Sequence, residues 1–361
     1  DGIAVAYGLA ILDADDIPHP PLELLVTTNE ETGMDGAMAL TADHLTGTRL
    51  LNLDTEVEGE FLVSCSGGSN IDLSFDIARE ANSSKAYKLS ISGLKGGHSG
   101  VEIDKQRANA IKLAARLLYL VKADVRLASF DGGIKHNAVP ANAEVVFATD
   151  KFDSLKEGLD ALIADLKEEY RVEDPGLTIT ITEATADQVY TKDLSDSVID
   201  MIMALPDGVQ YMSKDIEGLV QTSLNNAVIL EEDGKLVLTA SVRSASSSSL
   251  REILNVVTII ANRMGAVARE YSAYPAWQYE AVSPLRDIAE KIYVDMYGKE
   301  PHITSIHAGL ECGLLKGILP DTDMISYGPS IFDAHTPKEH MHISSVGRVW
   351  EYTKKLLAAL K

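Results

Sequence analysis

Two adjacent glutamates, Glu30 and Glu31, stand in the stretch Asn29-Glu30-Glu31-Thr32-Gly33, where an apolar run ends beside a turn glycine. Neighbouring side chains of an extended chain point opposite ways, but on an irregular turn both can flank one site. One carboxylate could then ligate a metal while the other serves as general base on its water. A solvated acidic turn is the other reading. Asp54 follows the apolar residues 49–53. An acid at the carboxyl end of a parallel strand lies where α/β sheets bind ligands, and it can equally be a turn cap. His335 lies in a late loop, residues 328–340, and neutral imidazole is a common zinc ligand. His335, Glu339 and His340 have the wrong spacing for an H-E-x-x-H or H-x-x-E-H helix. Pro337 also argues that His335 is outside a helix, and His340 and His342 read as surface residues.

Three glycines surround His98 in Gly96-Gly97-His98-Ser99-Gly100. They give backbone freedom rather than core packing, so His98 reads as a ligand-facing or interface histidine. Val101 occupies the last position of a nucleophile elbow, which makes Ser99 a poor nucleophile. No phosphate loop occurs. The run His307-Ala308-Gly309-Leu310-Glu311-Cys312-Gly313 reads as a turn entering a helix, whose amides could receive a substrate carboxylate. Cys312 has no basic neighbour and reads as a buried, inert thiol.

Positioning these groups falls to two kinds of element. Over residues 1–60 an alanine-rich helix (3–12), a buried strand (22–28), a small helix (36–40) and a second strand (49–53) alternate, as in a mostly parallel α/β sheet. From about residue 61 strands at 86–92, 143–148 and 178–182 are separated by long amphipathic helices near 106–122 and 152–169. A hairpin over 228–238 turns at Asp233-Gly234. This middle stretch reads as antiparallel strands with helices on one face. It holds a weak internal repeat: Asn137-Ala138-Val139-Pro140, a strand and a helix, then Asn225-Asn226-Ala227-Val228, a strand and a helix. After residue 275 the α/β style returns, with helices at 284–297, 309–316 and 345–360 and strands at 303–306 and 323–327. The architecture expected is a discontinuous α/β domain, 1–60 plus 276–361, with an α+β domain, 61–275, inserted between its halves.

Composition narrows the partners. The 361 residues carry 54 acids against 32 bases, a net charge of −22. Without a basic run, nucleic acid and anionic membranes are excluded as partners. Apolar residues at 45% and charged residues at 24% exclude wholesale disorder. Two cysteines cannot build a disulfide framework and suit a reducing cytosol. No apolar run reaches the ~18 residues of a membrane span, and no signal-peptide pattern opens the sequence.

The combination of these stretches with Leu51-Asn52-Leu53-Asp54-Thr55-Glu56 and Ala334-His335-Thr336-Pro337 resembles the metallopeptidase family M20, and within it the aminoacyl-histidine dipeptidase branch. The resemblance covers nearly the whole chain. It implies a zinc-exopeptidase-like α/β catalytic domain with an inserted α+β lid, two zinc ions (manganese or cobalt as alternatives), and hydrolysis of dipeptides of Xaa-His type. It makes Glu30 the general base and Glu31 and His335 ligands of one zinc, with Asp54 on the other. His98 becomes the oxyanion donor, while Asn137, Arg243, His307 and Glu311 become substrate contacts. A cytoplasmic homodimer joined through the lid is implied as well. An inactive peptide-binding homologue and another amidohydrolase of the family, a deacylase or tripeptidase, are the alternatives. The family's upstream His-x-Asp motif and metal-bridging aspartate have no counterpart, since Asp1-Gly2 matches only the two positions after the bridging residue. The expectation is therefore an N-terminally incomplete chain with weak metal binding and impaired activity, unless Asp1 substitutes.

Overall fold

The computed structural model describes residues 2–361. Asp1, the substitute ligand considered above, lies outside them. The chain divides into two units, one of residues 1–67, 213–219 and 274–361, the other of residues 68–212 and 220–273.

The first unit is built on a four-stranded sheet ordered Arg49–Asn52, Asp323–Ser326, Glu60–Cys65, His302–Ile306. The first two strands pair parallel and so do the last two, but Asp323–Ser326 meets Glu60–Cys65 antiparallel at Ser326 and Leu62. Two of the three pairings are parallel, as a mostly parallel sheet requires, and the third adds one antiparallel contact. Met324 and Ile325 are neighbours in one strand and bury into different clusters, so both faces are covered. On one side Tyr7, Phe61, Leu285, Tyr293, Tyr352 and Leu356 join the helices Gly2–Asp13, Pro284–Tyr297 and Ile343–Ala359 to the sheet. Helix Pro284–Tyr297 has the boundaries its sequence prescribes. Ser283 caps it by accepting from the Arg286 N–H, Pro284 fills a position whose N–H needs no partner, and Gly298 ends it at φ 68°.

Residues 22–28, expected as a buried strand, form no ladder among the described residues, and most of their side chains are exposed or half-buried. A strand needs a neighbour to satisfy its amides. Here the polar groups go elsewhere: the Thr28 carbonyl accepts from Gly36 N–H at 2.9 Å, and Glu23 accepts from the amides of Thr46 and Gly47.

The second unit is a nine-stranded sheet. Its path runs Val267–Tyr274, Gly67–Asp76, Lys235–Ser244, Val220–Glu232, Arg126–Gly132, Ala143–Ala148, Ala86–Ser92, Thr178–Ala184, with Gly208–Met212 added beside Val220–Glu232. One large apolar cluster covers it. Leu89, Phe130, Val145, Leu224 and Leu238 from the strands meet Leu113, Leu117, Val198, Ile202, Leu254 and Val257 from the helices. Reading outwards from the central pair, Arg126–Gly132 and Val220–Glu232, each half of the sheet repeats one order of strands. Each half also carries two helices, Ala110–Val121 with Phe152–Glu169 and Lys192–Ala204 with Ser247–Arg263. The stretches read as copies do not occupy matching places, however, since 137–140 lies in the loop before Ala143–Ala148 and 225–228 inside Val220–Glu232. Among the described residues no helix is long and apolar enough to cross a membrane.

Candidate active site

The first unit holds the acids and the late histidine. Asn29 adopts a left-handed backbone (φ 59°), starting a single helical turn, Glu30–Gly33. Met34, also left-handed, ends that turn by donating its N–H to the Glu30 carbonyl. Such conformations are uncommon away from glycine, and here they set both glutamates on one turn. His335 is left-handed as well (φ 62°). Its Nδ1 lies 2.7 Å from Glu31 Oε2, joining residues 304 positions apart. Partial burial works against a charged imidazole, but the Glu31 hydrogen bond and the charges of Glu31, Glu56 and Glu30 outweigh it and hold His335 above its ordinary value.

Asp54 follows strand Arg49–Asn52, and its N–H donates to Asn52 Oδ1 at 3.3 Å. Burial, then the charges of Glu30 and Glu311, push its carboxyl up to about 6. Glu30 is raised too, first by burial, then by Glu31 and Glu311. Glu30, Asp54 and Glu311 therefore share one field. Glu311 opens helix Glu311–Ile318 and accepts from the Thr27 hydroxyl at 2.6 Å. His307 is buried, its Nδ1 2.8 Å from Ser66 Oγ. Thr27 and Ser66 escaped the sequence reading, because a hydroxyl acquires such a role only from a partner more than 200 positions away. Cys312 is buried and its thiol is pushed up by burial, as an inert residue should be. His340 and His342 are exposed.

The second unit places His98 with the other two expected contacts. His98 pairs with Ala138 in an isolated antiparallel bridge, and Ser99 N–H donates to the Asn137 carbonyl at 2.9 Å. The Asn225 amide holds the Ala138 carbonyl at 2.8 Å. The Arg243 guanidinium acts on both His98 and His136, lowering each after burial has done so. His136 was not anticipated; its signal was adjacency to Asn137.

Glu31 and His335 offer one oxygen and one nitrogen donor of the kinds zinc accepts, while catalytic zinc takes three protein ligands. Among the described residues no three His, Cys, Asp or Glu side chains are grouped to hold a metal ion. The described donors thus fit part of a zinc centre and do not complete one.

Comparison with known proteins adds the family. Residues 2–359 match the model of peptidase family M20/M25/M40. The chain is 37% identical to the cytosol non-specific dipeptidase of Escherichia coli (strain K12), over 99% of this chain and 75% of that protein. It is similar to the crystal structure of aminoacylhistidine dipeptidase from Vibrio alginolyticus, with a TM-score of 0.93 and 38% identity over 99% of this chain and 74% of that one. The chain belongs to the M20 family of metallopeptidases, enzymes that hydrolyse peptide bonds.

Proposed function

We propose that the protein is a zinc-dependent dipeptidase whose substrates include Xaa-His dipeptides. The observation that carries the reading is the hydrogen bond between Glu31 and His335, beside a Glu30 whose carboxyl is raised. The two relatives support it from different sides, one named for non-specific dipeptides and the other for aminoacylhistidine. They agree on substrate length and differ on side chain, which favours a broad specificity.

Glu31 and His335 are the assigned ligands of one zinc and Asp54 of a second, and zinc when bound supplies Lewis acidity and lowers the pKa of its water. Before any metal binds, burial and the neighbouring carboxylates already set Glu30 above its ordinary value, and a general base must accept the proton of the water. Glu30 takes a proton from the attacking water as its oxygen bonds to the peptide carbonyl carbon. It returns that proton to the leaving amine when the C–N bond breaks. His98 is assigned hydrogen-bond donation to the oxyanion, and Asn137, Arg243, His307 and Glu311 the holding of the peptide. A homodimer formed through the second unit and a cytoplasmic location belong to the same reading, the latter in keeping with the name of the Escherichia coli relative.

The test is a zinc-supplemented turnover assay against Xaa-His dipeptides, other dipeptides, tripeptides and N-acetyl amino acids. Dipeptide hydrolysis abolished by a chelator and restored by zinc is the expected result. Cleavage confined to tripeptides or N-acetyl amino acids would overturn the assignment.

A further inference from the structure

The loop that carries His98 is closed by charged side chains from within itself. Glu102 Oε2 accepts the His98 backbone N–H at 3.0 Å. Glu102 Oε1 accepts from Lys105 Nζ at 2.7 Å and lies 3.2 Å from Arg107 Nη2. Arg107 Nη1 donates in turn to the Gly96 carbonyl. The carboxylate and the guanidinium thus meet in the space that a side chain at position 97 would occupy. A Cβ on Gly97 would lie 2.5 Å from Arg107 Nη1 and 2.7 Å from Glu102 Oε2, at a backbone φ of +130°. Only glycine leaves room for this pair.

The ring of His98 receives the other half of the arrangement. Gly100 N–H and Val101 N–H both point at its Nδ1, each at 3.2 Å. Two donors on one ring nitrogen require a lone pair there, so the ring's single proton is on Nε2. From outside the loop, the Val139 N–H donates to the Gly97 carbonyl at 2.9 Å and holds its other edge.

We propose that Glu102, acting with Arg107, is a positioning residue that fixes the loop on which the Gly100 and Val101 N–H groups keep the His98 ring proton on Nε2, so that His98 serves the reaction as a hydrogen-bond donor to an oxyanion and not as an acid. This rests on the assignment of His98 to the catalytic machinery. The neutral state of the ring comes from the rest of its surroundings. Burial and then Arg243 pull His98 below its ordinary value, with His136 adding to them and only Glu102 opposing. Glu102 itself is held down to about 2, chiefly by its hydrogen bonds from Lys105 and the His98 N–H, so it stays ionised at working pH. A neutral donor keeps its proton through neutral and alkaline pH, where an imidazolium would lose it.

The experiment is a long-range proton–nitrogen correlation spectrum of the full-length, histidine-labelled protein, with His98 assigned through His98→Gln, combined with turnover of a dipeptide. At pH 8 the wild type should show His98 protonated on Nε2 alone. Glu102→Ala should mix the tautomers and lower kcat by about 10- to 100-fold, the scale of a misplaced catalytic group, with KM changed much less. Glu102→Gln retains an oxygen for the His98 N–H and should restore most of the Nε2 pattern. An imidazolium, or a proton on Nδ1, in the wild type overturns the proposal without any variant, so it stands testable even if Glu102→Ala fails to fold. An unchanged ring spectrum and unchanged kcat in Glu102→Ala also overturn it. A wild-type rate for His98→Ala overturns the prior assignment of His98 instead, and is told apart because the ring spectrum is read on the resting protein.

Discussion

Asp174 offers a perturbation whose size can be worked from the geometry. Its side chain is buried, the residue only 1% exposed. One oxygen accepts from the Lys95 N–H at 2.7 Å and the other from the Ala108 N–H at 2.8 Å. Those amides are the two stems of the loop that carries His98, so one carboxylate ties the loop at its base. Hydrogen bonds to a charged acceptor contribute about 1.5–3 kcal/mol each. Asp174→Ala forfeits both and leaves two amides without an acceptor. Water entering the vacated space recovers part of this, and removing a desolvated charge recovers more. A net loss of about 2–4 kcal/mol is expected, a large share of the ~5–15 kcal/mol that stabilises a domain. Asp174→Asn keeps one acceptor oxygen but turns an NH₂ towards the other amide, so it should fall between. Urea denaturation gives the stability change. Native-state hydrogen exchange at Lys95 and Ala108 localises it, with rates raised about 30- to 1,000-fold at ~1.4 kcal/mol per decade. An Asp174→Ala protein within about 1 kcal/mol of wild type, with both amides equally protected, refutes the reasoning.

Ser66→Ala removes the hydroxyl beside His307 Nδ1; one ordinary hydrogen bond, ~0.5–1.5 kcal/mol, corresponds to about a 2- to 10-fold fall in kcat/KM for dipeptides, and no change would mean that Ser66 does not orient the ring. Glu102 is depressed from 4.5 to about 2, so its contribution to stability is complete above pH ~4.5 and is lost as pH falls towards 2. The urea midpoints of wild type and Glu102→Gln should therefore converge on acidification, and a gap constant from pH 7 to 3 would contradict that sign. Titration calorimetry with zinc should read a lower affinity for His335→Ala than for wild type; equal affinities would show that His335 is not a ligand.

Local chemistry decided which parts of this molecule were legible before its structure. Helix Pro284–Tyr297 and the turn at Asp233-Gly234 between Val220–Glu232 and Lys235–Ser244 are written in caps and turn residues, which act within a few positions. Residues 22–28 misled because an apolar run records burial preference and not whether a ladder partner exists. Strand Gly67–Asp76 was hidden by its opening Gly67-Gly68-Ser69-Asn70, which reads as a loop. Gly67 is needed there because a Cβ would lie 2.6 Å from the Ala276 nitrogen and 2.7 Å from the Tyr274 carbonyl oxygen, a crowding invisible in one dimension. At the site, Glu30, Glu31, Asp54 and His335 were singled out by residue type at element ends. Their roles came from the family resemblance rather than from spacing, since 304 positions separate Glu31 from His335. Thr27, Ser66, Glu102 and Asp174 act by holding other groups, and common residues in that role carry no sequence signature.

The role of Glu30 as general base is read from the rate of Glu30→Gln in zinc-loaded protein, measured on a dipeptide with bound metal quantified in the same sample. Turnover should be lower by about 10²–10⁴-fold, the usual contribution of a general base, with metal content equal to that of wild type. A Glu30→Gln protein that binds the same metal and turns over at the wild-type rate would contradict that role.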